Sequence, residues 1–243
     1  MKRVESFISV RTRQKRIWKI SKILLIAFIC WEIFSVYILK SFSVLSSSMS
    51  PTIQIGDKIL VLPAAYGFPA PFSGNILAYY SKPARGDIIL LKTPSAKIPS
   101  WPNRVLNEVV RFFTLQQISI NSKLTIPSKP IVKRVIAVSG DTVRIENFIA
   151  YVKPAGSEHY LSEYEVSGRI YDTQAQGLPD DWLPQLPFSG EMDKITVNDG
   201  EYFVLGDQRT SLGDSRFFGI VRESMIFSKV VARYWPLRKP FFL

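Results

Sequence analysis

The chain has 243 residues, of which 47% are hydrophobic, and its formal net charge is +11. The hydrophobic share fits a packed domain and excludes a disordered chain. A single cysteine, Cys30, and a single histidine, His159, exclude an intrachain disulfide and argue against a metal centre, so we expect no metal and no cofactor.

The basic residues are concentrated at the N-terminus. Residues 1–40 hold nine Lys or Arg and two Glu, whereas the remaining 203 residues hold 22 basic and 18 acidic side chains. A basic segment before an apolar run is typical of the cytoplasmic side of a membrane anchor. The rest of the chain has no basic face interleaved with aromatic residues, so the charge does not predict nucleic-acid binding.

The apolar run itself is Ile23–Leu39, "ILLIAFICWEIFSVYIL", whose only charged residue is Glu32. A bilayer core needs roughly 20 apolar residues, with a lower limit near 17, so this run predicts a transmembrane helix. A cleaved signal peptide is the alternative, because small residues follow the run. The basic segment of 22 residues is long for a signal peptide, which favours an uncleaved anchor.

Beyond residue 50 the chain consists of short β-rich runs separated by Pro, Gly and Asp, which predicts an all-β body behind one N-terminal helix. The predicted strands are "DKILVL" (57–62), "DIILLK" (87–92), "PIVKRVIAV" (130–138), "DTVRIE" (141–146), "FIAYVK" (148–153), "EYFVLGD" (201–207) and "IVRESMIFSKVVARYW" (220–235). Residues 94–130 and 153–195 are rich in Pro and Ser and predict large loops. Helical periodicity in this part is visible only at Val105–Phe113.

The segment "SSSMSPTI", Ser46–Ile53, follows the apolar run closely and raises the question of a nucleophile near a membrane. A serine hydroxyl needs a neighbouring base, and with one histidine the alternatives are a carboxylate or a neutral lysine. Lys133 lies inside an apolar β run, where burial would favour the neutral amine. Its pKa would have to fall by about 3 units from 10.4, which is within the documented range. An exposed strand lysine is the other interpretation.

Four sequence blocks, in this order behind an apolar span, resemble the type I signal peptidases, which are membrane-bound Ser/Lys proteases. The blocks are "SSSMSPTIQIGDKILV" (46–61), "RGDIILLK" (85–92), "KRVIAVSGDTV" (133–143) and "GDQRTSLGDSRFFGIV" (206–221). The resemblance implies a catalytic domain of mainly antiparallel sheets. It divides the chain into a basic cytoplasmic segment (1–22), a transmembrane anchor (23–39) and an extracytoplasmic peptidase domain (40–243) with an insertion at 94–130.

The same resemblance implies roles for individual residues. Ser48 is matched to the nucleophile and Lys133 to the general base. The side chain of Ser46 and the backbone amide of Ser48 are matched to the donors of the oxyanion hole. The positions matched to the substrate pocket, which would admit little beyond Ala, are Phe42, Val44, Leu45, Ile53 and Val132.

Asp214 and Arg216 are matched to a structural ion pair that supports the surroundings of the lysine. The family has a serine two residues before this aspartate, where the present chain has Leu212. A hydroxyl from Ser211 or Thr210 could replace that serine, or the hydroxyl could be absent.

The implied function is endoproteolytic removal of signal peptides from exported preproteins after small-x-small motifs. The implied location is the bacterial cytoplasmic (inner) membrane, with the N-terminus in the cytoplasm and the catalytic domain on the outer, periplasmic face. The expected partners are preprotein signal peptides, the lipid bilayer and, in one alternative, a secretion or conjugation system. In that alternative the enzyme matures a pilin or another substrate of that system. A second, more remote alternative is that the chain is an inactive, membrane-tethered peptide-binding domain.

Overall fold

The computed structural model describes residues 2–69, 76–92, 100–114, 118, 131–175, 190–211, 213–237 and 241–242. The helices within these residues are α1 (Lys2–Tyr37), α2 (Trp101–Phe113), α3 (Glu163–Ser167) and α4 (Ser215–Phe218). The strands are β1 (Lys40–Ser43), β2 (Lys58–Leu62), β3 (Gly67–Pro69), β4 (Ile76–Tyr79), β5 (Ile88–Leu91), β6 (Ile131–Ala137), β7 (Thr142–Glu146), β8 (Ile149–Lys153), β9 (Leu161–Ser162), β10 (Met192–Thr196), β11 (Glu201–Leu205), β12 (Val221–Arg222), β13 (Ile226–Trp235) and β14 (Phe241–Phe242).

Helix α1 contains the basic N-terminal segment and most of the predicted anchor in one continuous element. It ends at Tyr37, two residues before the predicted end of the anchor, because the chain enters β1 at Lys40 and pairs there with β2. Among the side chains that the structure describes, no helix has the combined length and apolar character that a bilayer crossing requires.

The largest sheet has eight strands in the order β1-β2-β13-β5-β6-β11-β12, with β14 paired to β13. A second sheet has the order β10-β7-β8-β9, and β3 pairs with β4. All pairs between these strands are antiparallel. The prediction of a mainly antiparallel β domain is therefore confirmed.

Each predicted strand run contains an observed strand. Burial alternates along β2, β7, β8 and β13, whereas β5, β6 and β11 are buried at almost every position. The run at 220–235 is divided into β12 and β13 by a short turn at Glu223–Met225. The strands β1, β3, β4, β9 and β10 were not predicted, since they are short or mostly exposed. The predicted helix at Val105–Phe113 is present as α2 and begins four residues earlier.

Two turns with a glycine at positive φ lie where the sheets meet. Gly86 and Gly140 have φ values of +83° and +86°, which favour glycine because residues with a Cβ rarely adopt them. The turns are tied together by Arg85, which donates two hydrogen bonds of 2.8 and 2.7 Å to the buried carboxylate of Asp141. The second sheet is thereby held next to the C-terminal end of β6, a strand of the large sheet.

The interior of the large sheet is divided into hydrophobic clusters, one of which lies beside the serine segment. We call it the β1-side cluster, and its buried members are Val44, Met49, Ile53, Ile59, Val61, Ile88, Leu90, Val132 and Val230, with Phe42 and Phe227 packed against them. This cluster fixes the segment after β1 against strands β2, β5, β6 and β13. The serine segment is consequently a well-anchored turn.

Candidate active site

Ser48 lies in a turn that is held at both ends by backbone hydrogen bonds. Before the turn, the amide of Val44 donates to the carbonyl of Asp57 at 2.8 Å, and after it the amide of Ile53 donates to the carbonyl of Met49 at 2.8 Å. The Met49 side chain is buried in the β1-side cluster. Ser48 is only 4% exposed. Its surroundings therefore have a low dielectric constant, which is the environment that a nucleophile with a neutral base requires.

Lys133 lies in the middle of β6, and its side chain is 1% exposed. Its Nζ has no hydrogen-bond partner among the described residues. Burial is the main cause that lowers the pKa of Lys133 to about 8, and Arg216 lowers it further, whereas the charges of Asp214 and Asp207 oppose the shift. Since an ordinary lysine has a pKa near 10.4, a useful fraction of Lys133 is an unprotonated amine near neutral pH.

Gly206 brings the backbone of Ser48 and the amine of Lys133 together. A Cβ at Gly206 would lie 3.1 Å from Lys133 Nζ and still closer to the carbonyl oxygen of Ser48. The position follows β11, whose Leu205 pairs with Arg134, the neighbour of Lys133. Only glycine therefore allows this approach, a role that the sequence analysis did not recognise.

Asp214 and Arg216 form an ion pair directly behind Gly206. Arg216 donates to the two carboxylate oxygens of Asp214 at 3.0 and 2.8 Å. Asp214 Oδ2 also accepts the backbone N–H of Gly206 at 3.3 Å. The pair thus fixes the residue that adjoins both Ser48 and Lys133, and its two charges act in opposite directions on the pKa of the lysine.

The two groups matched to the oxyanion hole are adjacent. The backbone N–H of Ser48 donates to Ser46 Oγ at 3.2 Å. The hydroxyl proton of Ser46 can still be donated to a third atom, because a hydroxyl both accepts and donates. A substrate oxyanion entering between them would replace Ser46 Oγ as the acceptor of the amide and would accept the hydroxyl proton as well.

Four of the five residues matched to the substrate pocket lie together in the β1-side cluster. Val44, Ile53 and Val132 are buried members, and Phe42 packs against them from β1. Leu45 is 57% exposed and is not part of the cluster. Its side chain points away because successive residues of this extended segment alternate between the cluster and the solvent.

Of the two alternatives for the family serine beside the lysine, a replacement by Ser211 or Thr210 and an absent hydroxyl, the described residues favour the second. Thr210 Oγ1 accepts a hydrogen bond from the side-chain amide of Gln208 at 3.0 Å, and the amide of Ser211 donates to the Gln208 carbonyl at 3.1 Å. Neither hydroxyl bonds to Lys133 Nζ. Leu212 itself lies outside the described residues.

A buried charge network next to the lysine was missed by sequence analysis. Arg134 donates to both oxygens of Asp207 at 2.9 and 2.7 Å, and Asp207 also accepts the hydroxyl of Thr52 at 2.6 Å. The guanidinium of Arg134 also lies 3.7 Å from the ring centre of Tyr171. The network connects β6 to the segment that follows the nucleophile. An arginine inside an apolar run was the only signal in the sequence, and its partner is 73 residues away.

His159 is exposed in the loop between β8 and β9. Its backbone N–H donates to Ser157 Oγ at 3.2 Å. We expect His159→Ala to change kcat/KM by no more than about twofold, as is usual for exposed positions. A proteolytic assay on the purified variant checks this, and a large loss would indicate that His159 is the base.

Within the described ranges, no group of three His, Cys, Asp or Glu side chains could hold a metal ion.

Comparisons with known proteins find similarity over most of the chain. The family model described as "Signal peptidase, peptidase S26" matches residues 17–235. Signal peptidase I of Buchnera aphidicola subsp. Baizongia pistaciae is 27% identical over 229 residues, which cover 80% of this chain and 69% of that protein. Signal peptidase IB of Staphylococcus aureus strain COL is 24% identical over 219 residues, which cover 90% and 88% of the two chains.

Other relatives are longer than the present chain. The matched part covers 65% of signal peptidase I from Haemophilus influenzae, with 24% identity. Among solved structures, a crystal structure of a signal peptidase I from Enterococcus faecalis V583 is similar with 21% identity and a TM-score of 0.33, and the match covers 61% of this chain and 97% of that chain.

Proposed function

Since the chain belongs to the peptidase S26 family of signal peptidases, we propose that Ser48 and Lys133 cleave signal peptides from exported preproteins. The proposal rests above all on one observation, the buried amine of Lys133 with a pKa near 8 that shares its contact at Gly206 with Ser48. A buried lysine without a hydrogen-bond partner is unfavourable for folding, and it is therefore better explained as a base than as a structural group.

Acylation begins when unprotonated Lys133 Nζ accepts the hydroxyl proton of Ser48. Ser48 Oγ attacks the carbonyl carbon of the scissile peptide bond, and the negative charge forms on the carbonyl oxygen. The hydroxyl of Ser46 and the amide of Ser48 donate to that oxygen. When the C–N bond breaks, the ammonium of Lys133 gives its proton to the leaving amine, and an ester on Ser48 remains.

Deacylation uses the same base. Lys133, again neutral, accepts a proton from a water molecule, and the resulting hydroxide attacks the ester carbonyl. The C–O bond to Ser48 breaks, the serine oxygen recovers the proton from Lys133, and the signal peptide leaves as a carboxylic acid, which gives its proton to water. No protein group besides the dyad and the oxyanion donors takes part in these steps.

Selectivity for small side chains at the first and third positions before the cut follows from the β1-side cluster. Its side chains Phe42, Ile53 and Val132 pack in one cluster with Met49, the residue after Ser48. A larger substrate side chain would have to displace packed hydrophobic groups, which is unfavourable in a close-packed interior. We therefore expect alanine at both positions in good substrates.

Residues 23–39 would anchor the enzyme in the bacterial cytoplasmic membrane, with residues 1–22 in the cytoplasm and the β domain on the outer, periplasmic face. The basic excess before residue 23 supports this orientation. Apolar side chains of the anchor, each at least 42% exposed, support a lipid environment for it: Ile23, Leu24, Leu25, Ile26, Ile29, Ile33 and Phe34. Protease protection in inverted membrane vesicles tests the orientation.

The pH dependence of preprotein cleavage tests the proposed base. The reaction needs neutral Lys133, so kcat/KM should rise about tenfold per pH unit below the pKa and level off above about 8. His159→Ala serves as the control and should have the same profile. An acidic limb near 4 that is unchanged in this control would instead identify a carboxylate as the base.

A dedicated role in maturing a pilin or another single substrate of a secretion system is the second candidate. It is favoured by Leu212 in place of the family serine and by the insertion that contains α2. Parallel assays on a general preprotein and on a pilin precursor distinguish the two roles. An inactive peptide-binding domain is disfavoured, because both Ser48 and Lys133 are present.

A further inference from the structure

Helix α2, which comes from the insertion, places a guanidinium against the strand that precedes the nucleophile. Arg111 is only 6% exposed, although it belongs to a helix at the surface of the β domain. Asn107, one turn earlier, is buried on the same face. A buried arginine needs specific partners, because desolvation of its charge is unfavourable. Its partners therefore indicate what the helix does.

Two successive residues of β1, Ser41 and Phe42, are partners of Arg111. Arg111 donates to the carbonyl oxygen of Ser41 at 3.3 Å. Ser41 lies in β1, which is the edge strand of the large sheet. Its guanidinium carbon lies 5.6 Å from the centre of the Phe42 ring, within the range of a cation–π contact. Glu108 extends the contact, since its carboxylate lies 3.7 Å from Arg111 Nε and 3.9 Å from Nζ of Lys40.

The other side of α2 is held by α1. The ring of Phe112 makes edge contacts with Phe28 at 5.5 Å and with Trp31 at 6.0 Å. The helix therefore lies between α1 and β1, and it presents Arg111 to the Phe42 ring of β1.

Phe42 is the point at which this contact reaches the proposed substrate pocket. Its ring packs between Arg111 on one side and the β1-side cluster on the other, where it contacts Phe227 at 6.3 Å. The same cluster contains Met49, the residue after the nucleophile. A shift of the Phe42 ring would change the space available to a substrate side chain beside Ser48.

We infer that Arg111 is a specificity-determining positioning residue, which holds the Phe42 ring as a wall of the pocket and so limits the side chains accepted before the cut. The inference rests on the proposed function, because the pocket is defined by the proposed dyad. The insertion thereby contributes to substrate selection, although it supplies no group to the chemistry.

The test uses the full-length enzyme in detergent and preproteins with Ala, Val or Leu at the first or third position before the cut. For Arg111→Ala, we expect the preference for Ala over Leu to fall about tenfold, since pocket contacts of this size discriminate by about 10–200-fold. The kcat on the Ala substrate should stay within about twofold of the wild-type value. Arg111→Lys should recover part of the preference, because it keeps a donor for Ser41 but loses the planar contact with Phe42.

Asn103→Ala, an exposed change in the same helix, is the matched control and should leave the preference unchanged. An unchanged preference in Arg111→Ala would overturn the inference. Equal loss on all substrates together with a lower melting temperature would also overturn it, because Arg111 would then be only structural.

A second measurement separates this inference from the proposed function. With 4-fluorophenylalanine at position 42, the ¹⁹F resonance should shift and broaden in Arg111→Ala and not in Asn103→Ala. A resonance that Arg111→Ala leaves unaltered would refute the positioning role whatever the activity. If the wild-type enzyme cleaves no preprotein while the resonance responds as expected, the proposed function fails and the contact of Arg111 with Phe42 stands.

Discussion

Ser48→Ala is expected to reduce kcat/KM for preprotein cleavage by about 10⁴- to 10⁶-fold, because it removes the atom that forms the acyl-enzyme. The fold should be retained, since the Ser48 side chain donates no hydrogen bond on which the turn depends, and the turn is held by the backbone bonds at Val44 and Ile53. Cleavage of a labelled preprotein by the purified enzyme measures the effect.

The neighbouring serines provide a graded control for this result. Ser47 is exposed, and Ser47→Ala should leave kcat/KM within about twofold. Ser46→Ala should reduce it by about 10²- to 10³-fold, the usual loss for one oxyanion donor. Retention of more than about 1% of activity in Ser48→Ala would mean that another residue is the nucleophile.

Lys133→Met is expected to eliminate cleavage to a similar degree and, at the same time, to stabilise the protein. The pKa of Lys133 is lowered to about 8 in the folded state, so the unfolded chain binds the proton more tightly. Below pH 8 Lys133 is protonated in the folded state, and burial of this charge lowers the free energy of unfolding by an amount on the order of 3 kcal/mol. An apolar side chain of similar length removes this penalty.

The pH dependence of stability distinguishes this effect from a general packing change. The stability of the wild-type protein should rise between about pH 8 and the unfolded pKa near 10.4, whereas that of Lys133→Met should not. At pH 7 the melting temperature of the variant should be several degrees higher, at about 2–4 °C per kcal/mol. A destabilised Lys133→Met would contradict the account, because the amine would then have favourable partners in the folded state.

The antiparallel β fold could be predicted because its strands are short apolar runs bounded by Pro, Gly and Asp, and because several of them keep a regular alternation. Val143, Ile145 and Val152 are buried at every second position of β7 and β8, as the apolar pattern indicates. Strand β1 could not be predicted, since "KSFS" has only one apolar residue and the strand forms by pairing with β2 and by contact with α2.

That Ser48 acts together with Lys133 could be inferred from the sequence only through the resemblance to a family. Periodicity placed Lys133 in an apolar strand, but it could not decide between a buried and an exposed lysine. Whether Lys133 is buried depends on the pairing of β6 with β11, whose register brings Gly206 opposite the lysine. Such pairing between distant segments leaves no local pattern in either strand.

The contacts of the insertion could not be predicted for the same reason. An arginine in an amphipathic helix beside a membrane anchor is typical of a contact with anionic lipid headgroups. In the structure the guanidinium is buried against Ser41 and Phe42 instead. The sequence distance of 70 residues between Arg111 and Ser41 explains why the contact could not be inferred.

The most direct test of the Ser48–Lys133 mechanism is to locate the acyl group during the first turnover. The enzyme is mixed with an excess of preprotein or of an activated ester of its signal sequence, quenched in acid within the first turnover, digested and examined by mass spectrometry. The account predicts an ester on Ser48 that accumulates faster as the pH rises toward 8 and is absent in Lys133→Met. An acyl group on another residue, or an unchanged yield on Ser48 in Lys133→Met, would contradict it.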